Sequence, residues 1–441
     1  MLQNGGVTTE YSGSGDPVRS MELLWGGRAA GPRRGPRPRL TVEAITRTTA
    51  VSAPEDLVAR LPHSEALAWV RHGEGLVGWG EAARLVLPGG EDRFVRAREW
   101  LASVLGTATV EDPLGVPGSG PVAFGSFSFD AKAGESVLIV PRVVLGHRDG
   151  RAWYTTIGEH SESLALLRRP VAPSGIRWSD GEVDAPHHMR AVATAVERIR
   201  AGHLSKVVLA RDLLATADAP IDARVLLRRL ADRFPSCYTF ACAGLVGATP
   251  ELLVRRMGGE VESLVLAGTI ARDAADESLA QTLFASAKDR EEHAYAADMV
   301  RDALAPLCHE LTMPDEPELL RLSNVIHLAT PVRGRLAEER SVLDVVAALH
   351  PTPAVGGTPT ESALDLIREL ETMERGRYAG PVGWIDARGD GEWGIALRCA
   401  QIEGARARLY AGGGIVAGSD PAAELAEAQS KFRAMRYAID G

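Results

Sequence analysis

From His187 to the C-terminus, apolar strand-like runs and long helical stretches follow one another without a fixed order, and this limits the fold more than any other feature. A strict strand–helix–strand repeat would predict a doubly wound parallel sheet. Strand runs mixed with long helices predict α+β layers instead. Val192, Ala195, Val196 and Ile199 recur at helical spacing, which predicts a helix from His187 to Ala201 with Gly202 as its cap. The run Lys206-Val207-Val208-Leu209-Ala210 predicts a buried strand. Further strands are expected near 237–243, 251–256, 260–270, 381–387, 393–402 and 405–416. Long helices are expected near 276–306, 341–349, 361–372 and 421–438. No short-period repeat is present.

Upstream of this region the signals are shorter. Residues 1–38 are rich in Gly, Ser, Pro and Arg, too poor in apolar surface to offset chain entropy, and predict a disordered leader. Strand alternation begins at Leu40-Thr41-Val42-Glu43-Ala44-Ile45. A helix near Asp92–Leu105 and a strand at Pro121-Val122-Ala123-Phe124 follow, and Asp180-Gly181 predicts a turn before the second half. A chain of 441 residues could hold two or three domains, but large α/β sandwiches reach this length on one core. We therefore expect a single domain over 39–441, with an N-terminal portion 39–182 and a core 183–441. Gly73-Glu74-Gly75-Leu76-Val77-Gly78 fits a dinucleotide fingerprint, but Trp79 and Gly80 follow where a helix should start, so a hairpin is expected there.

A net charge of -9 argues against a nucleic-acid partner, since phosphate backbones are held by clustered Lys and Arg. It leaves open an anionic small molecule bound by a local cationic cluster. The cysteines Cys237, Cys242, Cys308 and Cys399 form no CxxC pair, so neither thiolate metal ligation nor a disulfide framework is expected. No run spans a bilayer and no secretory signal is evident, which gives an expectation of a cytoplasmic protein without a membrane partner.

Four features could carry chemistry. Lys206, at the start of an apolar strand, either snorkels to the sheet edge or is held in a site. Glu251 follows Thr249-Pro250 and opens the strand Leu252-Leu253-Val254; it is either a solvated edge residue or a carboxyl whose pKa is raised towards general-acid use. The third is the segment Lys288-Asp289-Arg290-Glu291-Glu292-His293. The fourth is Glu424-Leu425-Ala426-Glu427, where a spacing of three puts both carboxylates on one helix face. Two such helices are either solvated faces or holders of a hard cation such as Mg²⁺. Glu427 with Lys431 also fits a surface i,i+4 pair.

Read together, these stretches resemble the chorismate-utilising enzymes. The resemblance runs from about Pro121 to the C-terminus and is strongest from His187. It rests on Lys206-Val207-Val208-Leu209-Ala210-Arg211, Gly247-Ala248-Thr249-Pro250-Glu251, Leu266-Ala267-Gly268-Thr269 and Lys288-Asp289-Arg290 with Glu292-His293. His327-Leu328-Ala329-Thr330, His350-Pro351-Thr352-Pro353-Ala354, Tyr378-Ala379-Gly380 and Leu397-Arg398-Cys399-Ala400 continue it. Gly412-Gly413-Gly414-Ile415-Val416 and Glu424 with Glu427 and Lys431 complete it. Ammonia-using relatives typically carry Gln at the Lys206 position, and aminodeoxychorismate synthases a lysine where this chain has Ala267. Within the family the motifs around His327 and Ala354 look like those of isochorismate synthases.

The resemblance implies a layered α/β sandwich with large, mainly antiparallel sheets flanked by helices. It implies an isomerase that converts chorismate reversibly to isochorismate, with Lys206 as base and Glu251 as acid. Mg²⁺ is expected on Glu292 and Glu427, with Glu424 through water. Gly268 and Thr269 are expected at the ring carboxylate, Arg398, Tyr378 and Gly414 at the enolpyruvyl carboxylate, and His327 and Ala354 around the ring. His327 has a packed hydrogen-bonding role as its alternative. No glutaminase subunit is expected, and a monomer or weak homodimer is. The product would feed menaquinone or catecholate siderophore synthesis. A salicylate synthase, which also eliminates pyruvate, and an inactive chorismate-binding protein are the alternative readings.

Overall fold

The strands carry long apolar runs because both faces of the larger sheet are covered. Trp69 points into the core shared by the two sheets, while its neighbours Ala68 and Val70 point to a second core on the other side. Phe240 and Ala241 divide in the same way. This is the two-residue period of a strand with apolar side chains on both faces. The computed structural model describes residues 45–106, 108–158, 169–271, 283–321 and 325–441, with side chains described except at 267–271, 287–289, 291, 292, 321, 325 and 327. These residues fall in one compact unit, Arg39–Gly441.

Among the described residues there are two sheets, one 13-stranded and one 10-stranded. In the larger, Arg177–Asp180, Lys206–Thr216, Arg406–Ile415, Cys399–Glu403, Leu245–Thr249 and Tyr238–Cys242 lie side by side, followed by strands from the N-terminal portion. In the smaller, Val325–Leu336, Glu260–Ala271, Leu252–Met257, Gly391–Ile395 and Pro381–Asp386 are neighbours, again continued by N-terminal strands. Among the described pairs, only Ile45–Val51 with Thr109–Glu111 is parallel. Both sheets therefore draw on both portions of the chain, and the two larger core clusters among the described residues each contain side chains from both.

Trp69, Phe124, Phe240, Trp384 and Trp393 fill the space between the sheets. The indole of Trp69 donates across that space to Glu392 Oε2 at 2.8 Å. On the outer face of the larger sheet, the helices Ala223–Arg233 and Arg433–Asp440 bury Leu226, Leu227, Leu230, Met435 and Ile439. The α+β layering is thus as the element pattern predicts, and the mainly antiparallel sandwich is as the family resemblance implies.

Most element boundaries match the sequence reading to within two residues, including the helix Ala185–Arg200 and the hairpin turning at His72 and Gly73. Three do not. The strand expected over 393–402 is two strands, Gly391–Ile395 in the smaller sheet and Cys399–Glu403 in the larger. The chain crosses between sheets at Ala396–Arg398, where Arg398 has φ 48°. The helix expected over 421–438 breaks at Phe432 into Pro421–Lys431 and Arg433–Asp440. Phe432 is buried there, beneath the guanidinium of Arg211. Of the helix expected over 276–306, Ala287–Leu304 is helical, residue 286 is not, and 276–282 lie outside the described residues.

Candidate active site

Two neighbouring crossings between the sheets organise the site. At the first, Thr249 ends a strand of the larger sheet and Leu252 begins one of the smaller, with Pro250-Glu251 between them. Proline has no N–H to offer a ladder, which suits the end of a strand. The second crossing is Ala396–Arg398. The two are tied together: Ile395 N donates to Glu251 O at 3.1 Å, and Ala248 N donates to Arg398 O at 3.2 Å. A third segment, Tyr378–Gly380, is zipped to the second crossing by Ala379 N to Ala396 O at 3.0 Å and Ala396 N to Gly380 O at 2.9 Å. Ala379 and Arg398 both have positive φ, a strain that L-residues keep only where their surroundings hold them.

Loss of hydration raises the carboxyl of Glu251 to about pH 7, although the positive charges of Lys206 and Arg398 act to lower it. Burial is therefore the winning effect, and near neutral pH this carboxyl exists in both protonation states. Burial also lowers the pKa of Arg398, against the opposing pull of Tyr378, Cys237, Glu427 and Glu251. Tyr378 is buried and stacked on Tyr410, with ring centroids 5.0 Å apart and planes at 10°. Its hydroxyl pKa is raised by burial.

Lys206 starts its strand half-buried, with Ser205 N donating to Thr358 O at 2.8 Å. That strand pairs with the glycine-rich one, placing Val208 opposite Gly414, Leu209 opposite Gly413 and Ala210 opposite Gly412. Glycine is required at 412, where a Cβ would lie 2.4 Å from Leu209 O. At 413 a Cβ would lie 3.0 Å from Glu424 Oε2 and 3.5 Å from Glu427 Oε1, so both carboxylates rest against that bare backbone. Ala354 sits in the segment that precedes Gly357–Thr358, with Val208 N donating to Gly356 O at 2.9 Å.

The structure thus gathers Lys206, Glu251, Tyr378, Arg398, Glu427 and Glu424 into one electrostatically connected group. Gly268 marks an irregularity in the pairing of Glu260–Ala271 with Val325–Leu336, and Thr269 lies opposite His327 in that ladder. Glu292 lies on the helix Ala287–Leu304. The side chains of Thr269, Glu292 and His327 lie outside the described residues.

Glu424 and Glu427 offer hard oxygen donors one helical turn apart, a donor set that fits Mg²⁺, which takes one or two carboxylates and keeps its waters. Among the described residues no group of three or more His, Cys, Asp or Glu converges. Glu427 holds Lys431 at 2.6 Å, and Glu424 Oε1 accepts from Ser419 at 2.6 Å.

A family model described as chorismate binding enzyme matches residues 59–440. The chain belongs to the chorismate-binding enzymes. A Mycobacterium tuberculosis protein provisionally named isochorismate synthase MenF is 42% identical over 342 residues, covering 73% of this chain and 87% of that one. Isochorismate synthase DhbC of Bacillus subtilis is 41% identical over 306 residues, covering 62% and 77%. The solved menaquinone-specific isochorismate synthase MenF of Escherichia coli superposes with a TM-score of 0.71 at 26% identity, covering 89% of this chain and 94% of that one. The resemblance read from the sequence motifs is borne out.

In this chorismate-binding enzyme some contacts went unread in the sequence. Lys431 is not the surface partner its spacing suggests: its ammonium also donates to Gly412 O at 2.6 Å, and burial lowers its pKa. The stacking partner Tyr410 was missed because a lone aromatic in a strand carries no signal. Glu371 and Arg375 were missed although their i,i+4 spacing beyond a helix was visible.

Proposed function

We propose that this chorismate-binding enzyme is an isochorismate synthase, an isomerase that adds water at C2 of chorismate and expels the C4 hydroxyl. The observation that carries the reading is Glu251, a carboxyl raised to about 7 by burial while facing the charges of Lys206 and Arg398. Hydroxide is a poor leaving group and water a poor nucleophile, so the reaction needs an acid and a base at once. Protonated Glu251 gives its proton to the departing C4 oxygen. Lys206, acting in its neutral amine form, takes a proton from the water whose oxygen bonds to C2 and becomes an ammonium, and the ring double bonds shift between the two carbons. Water leaves, and the mass is unchanged.

The guanidinium of Arg398 fits the enolpyruvyl carboxylate as a planar fork, with Tyr378 beside it and the backbone at Gly414 open to close approach. Gly268 and Thr269 offer backbone N–H groups to the ring carboxylate, and His327 and Ala354 flank the ring. Glu292 and Glu427, with Glu424 through water, would hold Mg²⁺, whose charge when bound grips the ring carboxylate and offsets charge developing across the diene. Because water is the nucleophile, this reading needs no ammonia-supplying subunit. No described helix is long and apolar enough to cross a membrane, in keeping with a small-molecule enzyme.

The test is direct. Purified protein is incubated with chorismate and Mg²⁺, with and without chelator, and products are resolved by chromatography and mass. An isomer of unchanged mass that disappears on chelation is the expected result. Salicylate with pyruvate would move the protein to the lyase branch, and absence of turnover would overturn the reading.

A further inference from the structure

The strand carrying Lys206 has an incomplete neighbour. Along one edge it pairs with Arg406–Ile415 over ten residues, from Val207 to Thr216. Along the other, Gly357–Thr358 covers only Lys206 and Val207, and Arg177–Asp180 covers only Leu213 to Thr216. Between them, backbone groups must find other partners, since an unpaired buried N–H or C=O is costly. Val208 N donates to Gly356 O at 2.9 Å. The next groups on that edge are taken by side chains: Ala210 N donates to Glu371 Oε1 at 2.7 Å, and Arg375 Nη2 donates to Val208 O at 2.7 Å.

The same two side chains grip each other. Arg375 Nη2 and Nε reach Glu371 Oε1 and Oε2 at 2.6 and 2.9 Å, and both side chains are almost fully buried. Arg375 Nη1 then donates to Val355 O at 2.9 Å, beside Ala354, and its guanidinium lies 4.3 Å from the ring centre of Phe129. One planar fork thus binds the lysine strand, the Ala354 segment and the Glu371 carboxylate.

A buried ion pair is a poor way to gain stability, because desolvation offsets most of the attraction. Glu371 also caps the C-terminal end of the helix Thr360–Leu370, where the helix dipole disfavours a negative charge. Both costs point to geometry rather than stability as the purpose. We propose that Glu371 and Arg375 are positioning residues that act as a side-chain substitute for a missing strand. They set Lys206 and Ala354 at a fixed spacing across the substrate; this purpose rests on the isochorismate synthase reading.

The experiment compares full-length Arg375→Met, Arg375→Lys and Glu371→Gln with the wild type. It reads kcat per folded molecule, KM, melting temperature, and amide exchange in peptides spanning 206–211 and 351–358. Lysine keeps the charge opposite Glu371 but cannot span the four acceptor atoms, Val208 O, Val355 O and both Glu371 oxygens, from one planar group. Arg375→Lys is therefore expected to regain much of the melting temperature lost in Arg375→Met. Its kcat should stay roughly 10- to 100-fold below wild type, the penalty of misplacing a reacting group by about 1 Å, with KM little changed. Exchange should rise in those two segments and not elsewhere. If kcat and melting temperature recover together in Arg375→Lys, the pair is merely structural and the proposal falls. It also falls if exchange in both segments stays at wild-type rates in all three variants. A wild type that leaves chorismate unchanged would instead overturn the functional reading and remove the catalytic purpose, while the exchange result alone would decide whether the clamp exists.

Discussion

Glu251 and the pair Glu424–Glu427 are the same functional group in opposite surroundings. Glu251 lies where the chain passes from one sheet to the other, and loss of water lifts its pKa to about 7 despite two nearby cations. Glu427 stands on a helix with its side chain 52% exposed and paired to Lys431, and Glu424 accepts a hydrogen bond from the Ser419 hydroxyl. The first environment favours a carboxyl that keeps a proton; the second favours carboxylates that attract cations. Burial, not residue type, is what distinguishes the carboxyl proposed as proton donor from the two proposed as cation holders.

The sharpest way to break the contrast is Glu251→Gln. It keeps the shape and removes the proton, so kcat should fall by roughly 10²–10⁴ while Mg²⁺ and chorismate affinities measured calorimetrically change little. If the variant keeps wild-type turnover, Glu251 is not the acid. Glu427→Gln should behave in the opposite way. Calorimetric Mg²⁺ affinity should drop by at least the roughly 10–100-fold that loss of an outer-shell partner costs a metal site. Unchanged affinity would assign the cation elsewhere.

A third measurement turns the contrast into a pH dependence. The folded-state pKa of Glu251 lies above its ordinary 4.5, so the folded protein binds this proton more tightly than the unfolded one does. Its contribution is fully present below pH 4.5 and is lost as pH rises towards 7. Glu251→Gln, which never ionises, should therefore be more stable to denaturant than wild type at pH 8, by on the order of 3 kcal/mol, and about equally stable at pH 4. Equal midpoints at both pH values would mean the carboxyl is well hydrated. The smallest effect is expected for Glu424→Gln, whose proposed contact with the cation runs through water. Its loss of Mg²⁺ affinity should be clearly less than that of Glu427→Gln in the same titration, and the reverse order would exchange the two roles.

The sequence exposed different parts of this arrangement unequally. Helices whose signals are local were legible: the spacing of Val192, Ala195, Val196 and Ile199 marked Ala185–Arg200 to within two residues, although its N-cap Asp184 and the Ser341–Asp344 capping box of Val342–Leu349 were not read. The strand from Lys206 was expected over the apolar run Lys206–Ala210, after which the charged Arg211 and Asp212 follow. It continues to Thr216 because Arg211 reaches Asp180 at 2.8 Å and Asp212 accepts from Arg408 at 2.7 Å, partners that are distant in sequence. The crossing at Ala396–Arg398 was illegible for a related reason. The residues on either side are equally apolar, and only the choice of sheet distinguishes them. The site residues came from the order of motifs, while the contacts that hold them, such as Tyr410 under Tyr378, depend on register across strands and leave no mark in local composition.

Gly413 gives the site an unusual genetic exposure. An added methyl group would meet only the flexible tips of Glu424 and Glu427, at 3.0 and 3.5 Å, and no backbone. Gly413→Ala would thus leave the fold standing while crowding both carboxylates away from their resting place. A single base change in the glycine codon suffices for it. If Glu424 and Glu427 hold the cation as proposed, such an allele would yield a folded protein with impaired turnover, a lesion that folding assays would pass as healthy and that only measurement of the product would reveal.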